Sequence, residues 1–151
     1  MYFADIEPEF IVRARRIVWC NVATVDTAGR PRSRVLHPIW EGATGWILTR
    51  RTSLKARHLA RHPHVSLAYV ADPVKPLYVD GVADWEDDLS AKRRIWEAFK
   101  AAPPPLGYDP GTIWSAPEAP NCGLLGITAR RIQLDDMLGA RKVWTRAGDG
   151  A

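Results

Sequence analysis

A mainly β fold, an antiparallel barrel of six strands with flanking helices, is what this sequence predicts. Six segments rich in β-branched and aromatic residues are separated by short turns that carry glycine, aspartate or proline, a pattern typical of antiparallel barrels. The strands do not alternate regularly with long helices, which disfavours a doubly wound parallel sheet. At 151 residues, without an internal repeat, the chain is expected to form a single domain over residues 1–151.

Short regular segments and recognisable turns alternate in the first half of the chain. A helix is predicted over residues 7–16, where Phe10, Ile11 and Ala14 recur at helical spacing. Strands are predicted at 17–26, 31–41 and 46–51, with turns at 27–30 and 42–45 between them. Pro38 cannot donate a backbone hydrogen bond, so the second strand is expected to bulge or to lie at an edge there.

The second half begins with a short helix that Thr52 or Ser53 is placed to cap, and that is expected to continue to about Arg61. Further strands are predicted at 65–70, 77–85 and 123–134, and a helix at 89–101 with Asp88 or Ser90 near its cap. Gly81 inside a strand suggests a bulge or a close backbone approach. The segment 102–121 is too rich in proline and glycine for regular structure, and a loop of that length is usually functional.

Composition and charge limit the classes of function. Apolar residues make up 46% of the chain and charged residues 25%, and no apolar run approaches the ~20 residues of a membrane span. The acidic N-terminus does not resemble a signal peptide, and two distant cysteines do not form a disulfide framework, so a cytoplasmic protein is expected. The net charge of +4 comes without a basic tail, which favours a small anionic ligand over nucleic acid.

Basic and hydroxyl residues concentrate where a predicted strand ends and a helix begins. This basic corner is defined by Arg34, Thr49, Arg50, Arg51, Thr52, Ser53 and Lys55. Free backbone N–H groups and the positive end of the helix dipole favour an anion there, most naturally a phosphate. Arginine and lysine at a helix start oppose that dipole, and a bound anion would explain their presence. The alternative is a solvated helix start with Ser53 acting only as a cap.

Next to the corner, the run Val35, Leu36 and His37 could present an apolar face to a flat heteroaromatic ring, or could be an ordinary core strand. His37 stands out because an imidazole beside such a ring can exchange protons, although a buried core histidine is the alternative. His58 and His62 have the i, i+4 spacing of some metal sites, but nothing in the sequence completes a ligand set, so no metal is predicted.

Three ordered stretches carry a resemblance to a known family. They are NVATVDTAGRPRSRVLHPIW, ILTRRTSLKARHLARHPHVSLAYV and YVDGVADWEDD, followed later by GITARRIQL. In this order they resemble the FMN-binding split-barrel superfamily, the pyridoxamine 5′-phosphate oxidase-like proteins. The resemblance covers roughly residues 17–88, with the last strand in addition.

The resemblance implies a six-stranded split barrel that acts as a homodimer with flavin at the interface. It implies that Arg34 and Lys55 hold the flavin phosphate with Thr49, Arg50 and Ser53 nearby. It implies that Val35, Leu36 and His37 line the isoalloxazine ring. Arg141, Lys142 and Trp144 are the candidates for contacts with the cofactor of the partner subunit.

The chain departs from the pyridoxamine phosphate oxidases in lacking their closing Trp, Arg-Leu and further Arg, so vitamin B6 synthesis is not predicted. The bulky run from Leu36 to Trp40 resembles the stress-protein branch. The expectation is an FMN-dependent oxidoreductase that transfers a hydride to a small molecule, with His37 as the best candidate for a catalytic proton role. A deazaflavin-dependent reductase of the same fold and a non-catalytic flavin carrier are the alternatives.

Overall fold

The computed structural model describes residues 1–149 and shows one antiparallel sheet of eight strands with three α-helices around it. The strands are β1 (Cys20–Val25), β2 (Pro31–Leu36), β3 (Ile39–Glu41), β4 (Thr44–Arg50), β5 (His64–Tyr69), β6 (Leu77–Glu86), β7 (Cys122–Leu134) and β8 (Lys142–Thr145). The helices are α1 (Phe3–Ile17), α2 (Leu54–Arg61) and α3 (Leu89–Ala101). The predicted mainly antiparallel fold class is therefore confirmed.

Strand β7 organises the sheet. The strands follow the order β2-β1-β5-β6-β7-β4-β3, and β8 also pairs with β7. One edge of the 13-residue β7 pairs with β6, while the other edge pairs first with β4 and then with β8. Among the described residues the strand order has β2 at one end and β3 at the other, and β2 pairs with β1 through all six of its residues. None of the helices within residues 1–149 is long and apolar enough to span a membrane.

Several boundaries differ from the predicted ones for identifiable reasons. The predicted strand 31–41 divides into β2 and β3 at His37 and Pro38, because the proline cannot donate to a ladder. Helix α1 begins at Phe3, where the backbone N–H of Tyr2 donates to Asp5 Oδ2 at 2.9 Å. The short β8 was not predicted. The segment 102–121, called the Pro-rich loop below, contains one turn of 3₁₀ helix at Pro110–Thr112, an exception to the prediction that it lacks regular structure.

The two later helices test the predicted caps. Helix α3 matches its predicted range, and the Asp88 carboxylate accepts from the Ala91 N–H at 3.1 Å. Ser53 stands at the N-cap of α2, but the prediction that its side chain caps the helix is wrong. The Lys55 ammonium donates to Ser53 Oγ at 3.2 Å instead. The hydroxyl of Ser53 therefore faces the basic corner rather than the helix backbone.

The buried apolar residues of the described chain form two clusters. The larger is formed mainly by side chains of the strands and of α1, including Phe10. Within it the Trp40 N–H donates to the Tyr69 hydroxyl at 2.8 Å. The smaller lies beneath α3, where Phe99 packs near Leu48 of β4. Both cysteines are buried and free, as the sequence predicts.

Gly81 permits the close pairing of β6 with β7. The register of that pair shifts between Asp80 and Gly81, and a Cβ at Gly81 would lie 2.6 Å from the Thr128 carbonyl oxygen. We expect Gly81→Ala to lower the free energy of unfolding by about 2–3 kcal/mol, because backbone of the paired strand must move to admit the methyl group. Urea denaturation measures the loss, and a variant as stable as the wild type would contradict the described register.

Candidate functional site

The guanidinium of Arg34 is fixed across the β1–β2 hairpin. Arg34 lies opposite Val22 in the register, and its Nη1 donates to Thr24 Oγ1 at 2.7 Å and to the Val22 carbonyl at 3.2 Å. The Thr24 hydroxyl is also 2.9 Å from Nδ1 of His58, a buried residue of α2. A chain of polar contacts thus joins the helix to both strands and holds Arg34 in place. His58 serves this contact, and within residues 1–149 no group of three or more His, Cys, Asp or Glu side chains is arranged to hold a metal ion.

Lys55 lies half-buried in the first turn of α2 and faces the same point. Burial lowers the pKa of Lys55, and the positive charges of Arg34 and Arg50 lower it further. Arg34, Ser53 and Lys55 all line one open cleft of about 650 Å³, called the basic cleft below. The fold therefore gathers cations that repel one another, an arrangement that an anion in the cleft would relieve.

The remaining members of the predicted corner are placed differently. Arg50 is exposed at the end of β4, close enough for its charge to act on Lys55. Thr49 is buried opposite Gly123 of β7 and is not among the described residues that line the basic cleft. The structure thus brings Arg34, Ser53 and Lys55 together directly, and contributes Arg50 through its charge.

Sequence reasoning missed a carboxylate at the rim of the basic cleft. Asp26 accepts from the backbone N–H groups of Ala28 and Arg30, both at 2.9 Å, and from Nε of Arg30 and of Arg32 at 3.1 and 3.2 Å. These donors, led by the Arg30 backbone, hold the pKa of Asp26 well below its usual range, so the carboxylate stays charged. The Asp-x-x-Gly turn pattern in the sequence is the signal that could have found it.

A second cavity of about 300 Å³, the aromatic cavity, lies farther along β2. Val35, Leu36 and His37, which the resemblance assigns to a ring site, all line it, together with Leu48 and Tyr108 among others. Tyr108 belongs to the Pro-rich loop, so that loop forms one wall of the cavity. The sequence predicts a functional loop there but does not indicate which cavity it joins.

His37 is packed among aromatic rings. Its centroid lies 4.7 Å from that of Trp19, 5.1 Å from that of Tyr108 and 5.4 Å from that of Phe99. Its Nε2 atom is buried without a hydrogen-bond partner among the described residues. Burial lowers the pKa of His37, against the opposing effect of the Leu106 backbone. The imidazole therefore favours its neutral form at pH 7, and its Nε2 atom is enclosed by aromatic rings without a hydrogen-bond partner among the described residues.

Acidification should destabilise the protein through His37. The unfolded chain binds a proton at this imidazole near pH 6.5, while the folded chain resists it to lower pH. The contribution of the neutral His37 imidazole to the free energy of unfolding is therefore complete above pH 6.5. It is lost as the pH falls towards the lower pKa that His37 has in the folded protein. Urea denaturation at pH 7.5 and at pH 5.5 measures the free energy of unfolding, and the decrease between the two pH values should be smaller for His37→Phe than for the wild type. The exposed His64→Gln is the control, and equal losses in wild type and His37→Phe would contradict the assignment.

The basic cleft and the aromatic cavity share strand β2. Arg34 lines the first, and Val35 to His37 line the second. A strand rises about 3.3 Å per residue, so the Cα atoms of Arg34 and Leu36, both within β2, are separated by roughly 7 Å. The two cavities therefore begin at neighbouring positions of one strand.

The three candidates for partner contacts lie in or just before β8 and already have contacts within their own chain. Trp144 is buried with its ring centroid 5.1 Å from that of Phe3. Lys142 pairs with Glu9 at 2.6 Å, and Arg141 pairs with Asp135 at 2.7 Å. Their role towards a partner stays a prediction.

Known structures share this fold. A protein from Clostridium acetobutylicum related to general stress protein 26 of Bacillus subtilis has a TM-score of 0.75 at 16% identity, over 96% of each chain. A pyridoxamine 5′-phosphate oxidase-related, FMN-binding protein from Nostoc punctiforme has a TM-score of 0.69 at 16% identity, over 98% of this chain and 93% of its own. The haem storage protein of Vibrio cholerae has a TM-score of 0.62 at 18% identity, over 93% of this chain and 94% of its own. No curated protein matches the chain.

A sequence profile establishes the family. The profile described as pyridoxamine 5′-phosphate oxidase matches residues 9–134, which include every strand from β1 to β7. The match contains the strand with Arg34, the helix with Lys55 and both cavities' β2 residues. The chain therefore belongs to the pyridoxamine 5′-phosphate oxidase family and carries its split-barrel fold.

Proposed function

We propose that the protein is a flavin-binding oxidoreductase that holds an FMN-type cofactor by its phosphate and prefers it to a flavin without a phosphate. The observation that carries this proposal is the set of mutually repelling cations Arg34, Arg50 and Lys55 around one cleft. The carboxylate of Asp26, at the rim, is already occupied by Arg30 and Arg32. A phosphate supplies the missing negative charge, and the aromatic cavity on the same strand suits a flat apolar ring.

The residues of this chain would hold and shield the cofactor. Arg34 and Lys55 bind the phosphate, with Ser53 as a hydroxyl donor, while Val35 and Leu36 give the ring an apolar face. When bound, FMN supplies hydride transfer to or from a small-molecule substrate. His37, neutral and with a free ring nitrogen, is the candidate to exchange a proton with that substrate.

Titration with FMN and with riboflavin tests the proposal. Both carry the same ring, but only FMN carries the phosphate, so FMN should bind at micromolar concentration or tighter and riboflavin at least tenfold more weakly. Quenching of flavin fluorescence gives both dissociation constants. Equal affinities, or no binding of either compound, would refute the assignment of the basic cleft. A deazaflavin with the same phosphate tests the alternative cofactor.

Turnover separates the enzyme from a flavin carrier. The loaded protein is mixed with NADPH or NADH and a panel of quinone and nitroaromatic acceptors, and bleaching of the flavin absorbance is followed. Reduction and reoxidation through an acceptor support an oxidoreductase, whereas tight binding without either supports the carrier.

Haem is a second candidate ligand, and His37 is the observation that favours it. A neutral imidazole that lines an apolar cavity and has an unpartnered nitrogen would be a suitable ligand for the iron of haem. The family fold also occurs in the haem storage protein of Vibrio cholerae. Adding hemin should then produce a Soret band that His37→Ala removes. A band unaffected by that substitution would exclude His37 as the ligand.

A homodimer in the cytoplasm completes the proposal. Trp19, Val35 and Ile113 line the aromatic cavity yet are 56%, 58% and 56% exposed, as expected if a second copy covers them. Sedimentation of the purified protein measures the oligomeric state, and a monomer with full FMN affinity would contradict a shared site.

A further inference from the structure

The basic cleft extends beyond the point where a single phosphate would bind. Arg30 and Arg32, on the turn after β1 and the start of β2, line the same cleft as Lys55. With Arg34 and Arg50, five positive charges meet at or beside the cleft. Asp26 offsets one of them, and a phosphate offsets about two, so roughly two positive charges remain without a counterpart.

The guanidinium groups of Arg30 and Arg32 are held in place and free to bind. Each donates its Nε–H to Asp26 Oδ2, at 3.1 and 3.2 Å. Their side chains are 67% and 53% exposed, and within residues 1–149 their Nη atoms make no hydrogen bond. Asp26 therefore anchors both side chains by one nitrogen each and leaves two further nitrogens on each, with four N–H donors, towards the cleft and solvent.

The turn itself does not need these two side chains. The Gly29 N–H donates to the Asp26 carbonyl at 3.0 Å, and the Asp26 N–H donates to the Arg30 carbonyl at 2.8 Å. The Asp26 carboxylate already accepts from the backbone N–H groups of Ala28 and Arg30. A short polar residue at either arginine position would leave the turn closed, so its stability does not account for two guanidiniums beside the cleft.

We propose that Arg30 and Arg32 form a second anion subsite for the same ligand that Lys55 and Arg34 hold by its phosphate. The ligand is then a flavin-type cofactor with a further anionic group beyond that phosphate, either a second phosphate or a carboxylate tail. The inference rests on the proposed function, because it takes the first phosphate as bound at the corner. Planar guanidinium forks suit both phosphate and carboxylate oxygens.

Three ligands and two double variants test the subsite. The ligands are FMN, FAD with its second phosphate, and a deazaflavin whose phosphate carries a glutamate tail. The variant Arg30→Gln/Arg32→Gln removes the subsite and keeps the backbone bonds to Asp26. The matched control Arg57→Gln/Arg61→Gln removes two exposed arginines of α2 that lie outside the basic cleft. Dissociation constants are measured at 0.15 M salt, where charges more than about 8 Å apart are largely screened.

We expect the wild type to bind FAD or the tailed deazaflavin about tenfold more tightly than FMN, because of the added charge-assisted bonds. Whichever binds more tightly identifies the source of the second anion. The subsite variant should lose this preference while its FMN affinity changes less than about threefold, since the phosphate contacts remain. The control double variant should keep both affinities.

Other outcomes overturn the inference. If the subsite variant keeps the wild-type affinities for all three ligands, or weakens all three equally, Arg30 and Arg32 form no separate subsite while FMN binding stands. If the wild type binds no flavin, the proposed function fails together with it. If the subsite variant instead loses salt-dependent binding to a DNA oligonucleotide, the two arginines serve nucleic acid and the inference is wrong.

Discussion

FMN binding should weaken about 10- to 100-fold when Lys55 is replaced by alanine, since a charge-assisted bond to phosphate contributes about 1.5–3 kcal/mol. Lys55 is half-buried and its Nζ already faces the hydroxyl of Ser53, so little freedom is lost when a phosphate oxygen joins them. Riboflavin affinity should not change, because the ring site on β2 is untouched. Fluorescence titration of both ligands measures the two effects separately.

The stability of the ligand-free variant distinguishes a binding role from a structural one. The neighbouring charges of Arg34 and Arg50 and the burial of Lys55 disfavour its charged form in the folded protein. Lys55→Ala should therefore melt at the same temperature as the wild type or higher. Lys100→Ala, an exposed site on α3, is the control for both measurements. A variant that loses stability but not FMN selectivity would assign Lys55 to the scaffold.

Replacement of Arg13 by methionine should lower the free energy of unfolding by about 3 kcal/mol or more, because buried acceptors lose their donor. Arg13 is a buried residue of α1, and its Nη1 donates to the carbonyls of Pro76 at 3.1 Å and Asp135 at 2.7 Å. Its Nη2 pairs with Glu9 at 2.5 Å. One side chain thus ties the helix to the start of β6 and the end of β7.

Arg15→Met gives a matched control, since Arg15 belongs to the same helix but is exposed. It should change the free energy of unfolding by less than about 0.5 kcal/mol. Chemical denaturation of both variants makes the comparison. Equal stabilities would mean that water replaces the Arg13 guanidinium at those carbonyls without cost.

The parts of the fold that local sequence determines were predictable. Helix α3 matches its predicted range because the cap at Asp88 and the apolar spacing both lie within it. The irregularity at Gly81 and the break at Pro38 follow from the chemistry of single residues. Strand β8 was missed because its support is distant: Trp144 packs against Phe3, at the other end of the chain.

The residues of the candidate site likewise fall into those that the sequence predicts and those that only the folded structure reveals. Arg34, Ser53 and Lys55 could be found because they cluster at one strand-to-helix junction. The Thr24–His58 contact joins residues 34 positions apart, and Tyr108 meets His37 from a loop after α3, so only the folded topology reveals them. For Ser53 a prediction from local sequence was wrong. The residue has the position and type of a helix cap, but its hydroxyl oxygen accepts from the nearby ammonium of Lys55 instead of a backbone N–H of the helix.

The position of β2 at the end of the sheet has a consequence for amide hydrogen exchange. Within residues 1–149 only one edge of β2 is paired, so about half of its backbone N–H groups face away from the ladder and can exchange without global unfolding. The amides of β7, paired on both edges, should exchange last. A cofactor and a second subunit bound against β2 would slow amide exchange in this strand selectively. Amide exchange in β2, the strand that contacts the ligand, should therefore detect binding.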